Sequence, residues 1–237
     1  MASRGIHSLE ESCLGNVVNP NFNTMLEMYI MSYIQTLSGN KFYFDRDPVD
    51  YFAKLSDAEL IDELAGALSK VCRFAGHCKT FYSVATHCAL GVPIPSRGRE
   101  TSSLSENKEY GLAFLFHDAA EAYTGDITTP LKLLIPNFKE IEKGIEDALF
   151  ARLTRMTGMA SPHCNAIKRA DLIMLHAEKC LLIDGEEEWA VLADLTDEEI
   201  LCSAVAQVGM SKIIEPISDP YMSKRVFLEV YKSLVPC

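Results

Sequence analysis

None of the eight cysteines of this 237-residue chain stands in C-x-x-C spacing. That excludes the usual signals of zinc ribbons and thioredoxin-like redox centres. No apolar run is long enough for a bilayer. The most hydrophobic early stretch, MLEMYIMSYI (25–34), is ten residues interrupted by Glu27, whereas a spanning helix takes about 20. The opening MASRGIHSLEESCLGNVVNPNFN lacks the apolar centre of a secretory signal. The expectation is therefore a cytoplasmic protein with no membrane partner and with reduced thiols. Positive charge is also scarce, with 22 Lys and Arg against 33 Asp and Glu and a net charge of −11. This argues against nucleic acid as a partner, because phosphate backbones are held by clustered cations. A small anionic ligand remains compatible if the cations it needs are local. Internal repeats and low-complexity tracts are absent as well.

The composition that remains, 48% hydrophobic and 23% charged, is that of a globular protein. Abundant Leu, Ala, Glu and Met lean helical. Residues 1–30 read as a loose Asn-rich leader and 31–237 as a single helical domain. IQTL and KFYF flank Ser38-Gly39-Asn40, which predicts a β-hairpin. Beyond Pro48 the periodicity is helical. Helices are predicted over 56–74, opened by a Ser56/Glu59 capping box, and over 79–91. A polar loop at 95–107 follows, then a helix over 109–125 stopping at Gly125. Further helices are expected from Asn137 to Gly158, from Ser161 with Pro162 in the first turn, over 196–209 and over 221–235. The predicted fold is all-α with a small N-terminal hairpin. Cys72, Cys78 and Cys88 lie close enough for a structural zinc; buried small hydrophobes are the alternative.

The stretch AFLFHDAAEAYTGD (113–126) places His117, Asp118, Glu121 and Asp126 directly after an apolar run. Buried charges cost several kcal/mol each unless paired or bound to a metal. On a continuous helix, positions 113, 114, 117, 118 and 121 share one stripe. Ala113 and Phe114 make that stripe core-like, so the polar residues would face inward. Imidazole with carboxylate suits a divalent metal. His87, among apolar residues in FYSVATHCALG, and Asp171, in IKRADLIMLHAEK, are likewise costly alone. Around one cation the four would become sensible together.

The order H…HD…D on successive helices resembles the HD-domain metal-dependent phosphohydrolases. HDAAEAYTGDITTPLK is similar to the HD-x-x-E-x-x-x-GD-x-x-x-P-x-K segment of the 5'-deoxyribonucleotidase-like branch. CRFAGHCKTFYSVATH is similar to the R-F-x-G-H…YSVA-x-H segment of bacterial and phage members, and IQTLSGNKFYFDRDP to their leader. The likeness runs over roughly residues 31–185. It implies an HD-domain helical bundle and one divalent ion (Mn, Co, Fe, Zn or Mg) on His87, His117, Asp118 and Asp171. Glu121 would be the acid or base near the attacked phosphate, with Asp126 a second carboxylate at the pocket mouth or a cap after Gly125. Arg73 would bind phosphate, or else pair with a neighbouring acidic helix. Phe74 would stand beside base or sugar, or in the core. His77 would touch substrate or lie in a loop, and Lys132 would touch substrate or brace its loop. His7, His163 and His176 match nothing in the family. The implied reaction is hydrolysis of a deoxynucleotide's 5'-phosphate ester. The substrate would be a deoxynucleoside monophosphate; alternatively a triphosphate, with Lys79, Lys132, Lys168 and Arg169 as added cations. A non-catalytic nucleotide-binding protein is the reading from a different class. Family members are commonly dimers, so a homodimer is the expectation on assembly.

Overall fold

A turn of Ser, Gly and Asn reverses the chain at low cost because glycine accepts positive φ, and Gly39 sits at φ 81°. It joins β1 (Tyr33–Gln35) to β2 (Lys41–Tyr43) in a two-stranded sheet. The structure, a computed structural model, describes residues 33–94 and 107–235. The leader 1–30, with His7, and nearly all of the expected polar loop lie outside the described residues. Ten α-helices occur among the described residues. The architecture is all-α with an N-terminal β-hairpin.

Helix α1 (Val49–Lys54) packs against α7 (Phe138–Thr157). Helix α2 (Asp57–Leu68) is opened by the predicted capping box. Ser56 Oγ accepts from the Glu59 N–H, and the Glu59 carboxylate accepts from the Ser56 N–H at 2.8 Å. Leu60, Ile61, Leu64 and Leu68 point from α2 into the core. At the centre lies α3 (Val84–Gly91), whose residues 84–89 are all buried. Against it pack α2, α4 (Lys108–Leu115), α8 (Asn165–Leu182) and α10 (Pro220–Leu234). Short α5 (Glu121–Thr124) and α6 (Thr129–Lys132) follow α4, and α9 (Asp197–Ile213) packs on α8.

The close approach of α3 and α4 depends on Gly91. A Cβ built there would stand 2.1 Å from Phe114 Cε1. Gly91→Ala should therefore overpack the core and cost about 1–3 kcal/mol. Denaturant unfolding of the variant, with an unchanged m-value, would register this as a lowered midpoint. A wild-type midpoint would show that Phe114 moves aside freely.

Several helix boundaries differ from expectation. Residues 79–83 are not helical. Cys72 and Ser83 form an antiparallel bridge, with the Arg73 N–H donating to Tyr82 O at 2.9 Å and the Val84 N–H to Val71 O at 3.0 Å. Backbone partners outside the helix thus outcompete its first turn. The expected helix 109–125 breaks between Leu115 and Glu121. The Phe114 carbonyl accepts from both the His117 N–H (3.3 Å) and the His117 ring Nδ1 (2.6 Å). The Ala119 and Glu121 N–H groups then donate three residues back, to Phe116 and Asp118. His117 and Asp118 consequently stand in a tight turn rather than on a helical stripe. Asn137 takes a left-handed conformation, φ 59°, and makes no side-chain cap. Ser161 and Pro162 form a turn before α8, which starts at Asn165. Gly209 passes within α9 instead of ending it.

Candidate metal centre

Three segments bring polar side chains into the apolar interior at one place. Helix α3 supplies His87, the turn after α4 supplies His117 and Asp118, and α8 supplies Asp171. His87 Nε2 lies 3.3 Å from His117 Nε2, 3.2 Å from Asp171 Oδ1 and 3.7 Å from Asp118 Oδ2. His117 Nε2 lies 3.2 Å from Asp118 Oδ2 and 3.7 Å from Asp171 Oδ1. His87 is fully buried, while the side chains of Asp118 and Asp171 are 22% and 37% exposed. Access is therefore from the carboxylate side.

The far nitrogen of each imidazole is fixed. His87 Nδ1 sits 2.5 Å from Glu178 Oε1, and His117 Nδ1 sits 2.6 Å from Phe114 O. With protons held at both Nδ1 positions, both Nε2 lone pairs face the shared centre, the arrangement metal-binding histidines use. His87, His117 and Asp171 could hold a metal ion, as could Cys88, His117 and Asp118, with ligand atoms within 4.8 Å of one another in each group.

Charge follows the same geometry. Burial and Arg73 pull His87 down, but Glu178 and Asp171 outweigh them, and its pKa ends above the ordinary value. For His117, burial is overcome by Asp118 and Asp171, which hold its pKa well up. Burial would raise Asp171, yet its bonds to both imidazoles keep it well below the carboxylate range. The carboxylates thus call for positive charge at the point where the two Nε2 atoms meet, and protons supply it when no cation does.

Glu121 is 8% exposed, and its Oε2 is buried without a hydrogen-bond partner. Burial, then Asp118 and Asp126, drive its pKa well above normal, which favours its protonated form. Burial also raises Asp126, against the pull of Arg73. Arg73 enters the cluster from a turn at Arg73–Gly76, where Phe74, Ala75 and Gly76 all have positive φ. Left-handed backbone at non-glycine residues costs roughly 1–3 kcal/mol each. Here it sends Arg73 inward, to Glu178 Oε2 (3.1 Å from Nη2) and Asp118 Oδ2 (3.4 Å from Nη1). The Phe74 ring packs 6.1 Å from that of Trp189.

The cluster thus gathers His87, His117, Asp118, Asp171 and Arg73, with Glu121 and Asp126 in its field. His77 lies exposed at the end of the left-handed turn, its N–H on Phe74 O at 2.9 Å. Lys132 pairs with Glu142 Oε1 at 2.6 Å, although its charge still lowers both Glu121 and Asp126. Of the other cations, Lys79 pairs with Asp184 at 3.1 Å, Arg169 is bound by both Glu199 oxygens, and Lys168 is exposed. His176 bonds Ser203 Oγ at 2.8 Å between α8 and α9. Sequence reasoning missed Glu178 and Tyr82, and grouped Cys88 with Cys72 and Cys78 rather than with His117 and Asp118. For Glu178 a signal existed: it stands seven residues after Asp171, on the same face of α8, beside core Ala177.

No family model matches the chain. It is 36% identical over 171 residues to the uncharacterized protein YfdR of Escherichia coli, covering 72% of this chain and 84% of that protein. It is 30% identical over 121 residues to an uncharacterized protein of Rhodobacter capsulatus, covering 50% of this chain and 60% of that one. The chain belongs to the family of Escherichia coli YfdR.

Proposed function

We propose that this protein is an HD-domain, metal-dependent phosphohydrolase that cleaves the 5'-phosphate ester of deoxynucleoside monophosphates. One observation carries the reading: two imidazole Nε2 atoms 3.3 Å apart each lie 3.2–3.7 Å from an oxygen of both Asp118 and Asp171, with each far imidazole nitrogen already engaged. The donor set, two nitrogens and two oxygens, fits Mn, Co, Fe, Zn or Mg. His87, His117, Asp118 and Asp171 would hold the ion, which when bound supplies the charge that acidifies water and polarises a phosphoryl oxygen.

The remaining work falls to the chain's own residues. Arg73 spends Nε and Nη2 on Glu178 and meets Asp118 through Nη1, and the one further N–H on each terminal nitrogen would orient an anionic phosphate. Glu121, buried and pushed toward its protonated form by Asp118 and Asp126, would deliver a proton to the departing 5'-oxygen. Asp126, in the field of Arg73 and Lys132, would accept a proton from incoming water. The engagement of Lys79, Lys132 and Arg169 in ion pairs favours one phosphate over three. A cytoplasmic setting suits such a substrate.

The test is a panel of deoxynucleoside mono- and triphosphates offered to chelator-stripped protein reloaded with each of the five ions. Orthophosphate from monophosphates is the expected product. Triphosphate released from triphosphates would replace the substrate assignment. Nucleotide binding with no release under any ion would overturn the enzyme reading.

A further inference from the structure

The outer face of α9 carries no charge for three turns. Its inner face is accounted for: Ser203 and Met210 are buried and Glu199 meets Arg169 from α8. Outside, Leu201, Val205 and Val208 are 65%, 67% and 59% exposed, and Ala204 and Gly209 beside them are exposed too. From Ile200 to Ser211 the sequence ILCSAVAQVGMS contains no charged residue. A solvent-facing helix surface ordinarily bears charge. Large aliphatics spaced by four and three make a continuous apolar stripe instead.

The stripe is closed by charge at both ends. Glu198, Val205 and Lys212 recur at seven-residue spacing, with Leu201 and Val208 between them, the pattern of a helix–helix seam. Neither Glu198 nor Lys212 has an ion-pair partner among the described residues. The order acid, aliphatic, base is complementary to itself when reversed. Two such helices laid antiparallel about a two-fold axis at Val205 would set Glu198 against Lys212, twice. Leu201 would then face Gly209, where a built Cβ meets nothing within 4 Å, so the position offers a hole for that side chain. Exposed Ile200 extends the apolar margin.

We propose that the outer face of α9 is a self-complementary surface that takes a second copy of this chain, in an antiparallel two-fold pairing centred on Val205. The seam lies on the side of α9 turned away from Ser203 and so from α8, and the proposal is independent of the phosphohydrolase reading.

Sedimentation equilibrium on the full chain at micromolar concentration tests it. The wild type should be a dimer. Val205→Glu should raise the dimer dissociation constant on the order of 100-fold or more, because the seam would bury two unpaired carboxylates. Val205 being exposed, its helical circular dichroism should not change, and Val208→Lys serves as an independent second variant. Glu198→Lys and Lys212→Glu should each weaken dimerisation roughly 5-fold, and the double exchange should restore it. A monomeric wild type, as would follow if another segment or a different protein covers this face, overturns the proposal. So does a dimer indifferent to Val205→Glu and Val208→Lys, or a double exchange that fails to rescue.

Discussion

Asp118→Ala should lower phosphate release by about 1,000-fold, some 4 kcal/mol of barrier, and should release the metal as well. Asp118 Oδ2 is the carboxylate atom closest to His117 Nε2, at 3.2 Å, and it is also met by Arg73 at 3.4 Å. Its loss would remove a ligand oxygen and leave Arg73 leaning on Glu178 alone. The side chain is partly open to solvent. The variant should therefore fold, with an unchanged circular-dichroism spectrum. Two measurements check the prediction: metal content per chain after gel filtration, and orthophosphate released from a deoxynucleoside monophosphate. Asp118→Asn, which keeps one oxygen donor but not the charge, should fall between wild type and Ala in metal content while remaining near Ala in turnover. Wild-type turnover in both variants would remove Asp118 from the reaction and with it the assigned centre.

How much of this was legible beforehand depends on the kind of signal each residue leaves. His87, His117, Asp118 and Asp171 were readable because each is a polar group in apolar surroundings, and such groups need a compensating partner. Their convergence was read without the correct local geometry. The stripe argument assumed one helix from Glu109 to Gly125, yet the His117 ring claims the Phe114 carbonyl and the chain breaks into a turn there. A side-chain hydrogen bond of that kind competes with the helix and leaves no periodic trace. The left-handed run at Phe74 and Ala75 was equally invisible, since neither residue type advertises positive φ. Capping was legible where chemistry was complete, at Ser56, which forms a capping box; the box at Thr196 went unread. At Asn137 the capping signal located the helix start although that residue makes no side-chain cap, and it misled at Ser161, where a turn precedes the helix. Glu178 was missed because its partners, Arg73, Tyr82 and His87, lie some 90 to 105 residues away along the chain. Its seven-residue spacing from Asp171 marks the face of α8 it shares, but no local spacing names partners that far along the chain.

Glu178 should for that reason show the largest stability effect of any single polar residue in the cluster. Its carboxylate is fully buried and accepts from Tyr82 Oη at 2.8 Å, from Arg73 Nε at 3.2 Å and from His87 Nδ1 at 2.5 Å. Burial would raise its pKa, but Arg73 and His87 prevail and hold it below the ordinary carboxylate value, so it is charged. Glu178→Ala would leave a guanidinium, a phenol and an imidazole N–H unpaired in a dry core, a loss of about 3–5 kcal/mol. For a chain of this length that is a fall in Tm of roughly 10 °C. Glu178→Gln isolates the charge from the shape. Its amide oxygen can still accept from His87 and Tyr82, whereas its amide nitrogen would meet the Arg73 donors head-on. His87 would keep its tautomer but lose basicity at Nε2, and metal affinity should drop by about 10–100-fold. Differential scanning calorimetry of the stripped proteins reads the first effect, and competition with a chromogenic chelator reads the second. A structural ion pair alone would lower Tm and leave metal affinity untouched. If Glu178→Gln binds metal as tightly as the wild type, Glu178 orients nothing at the centre, and its role ends with holding Arg73 in the core.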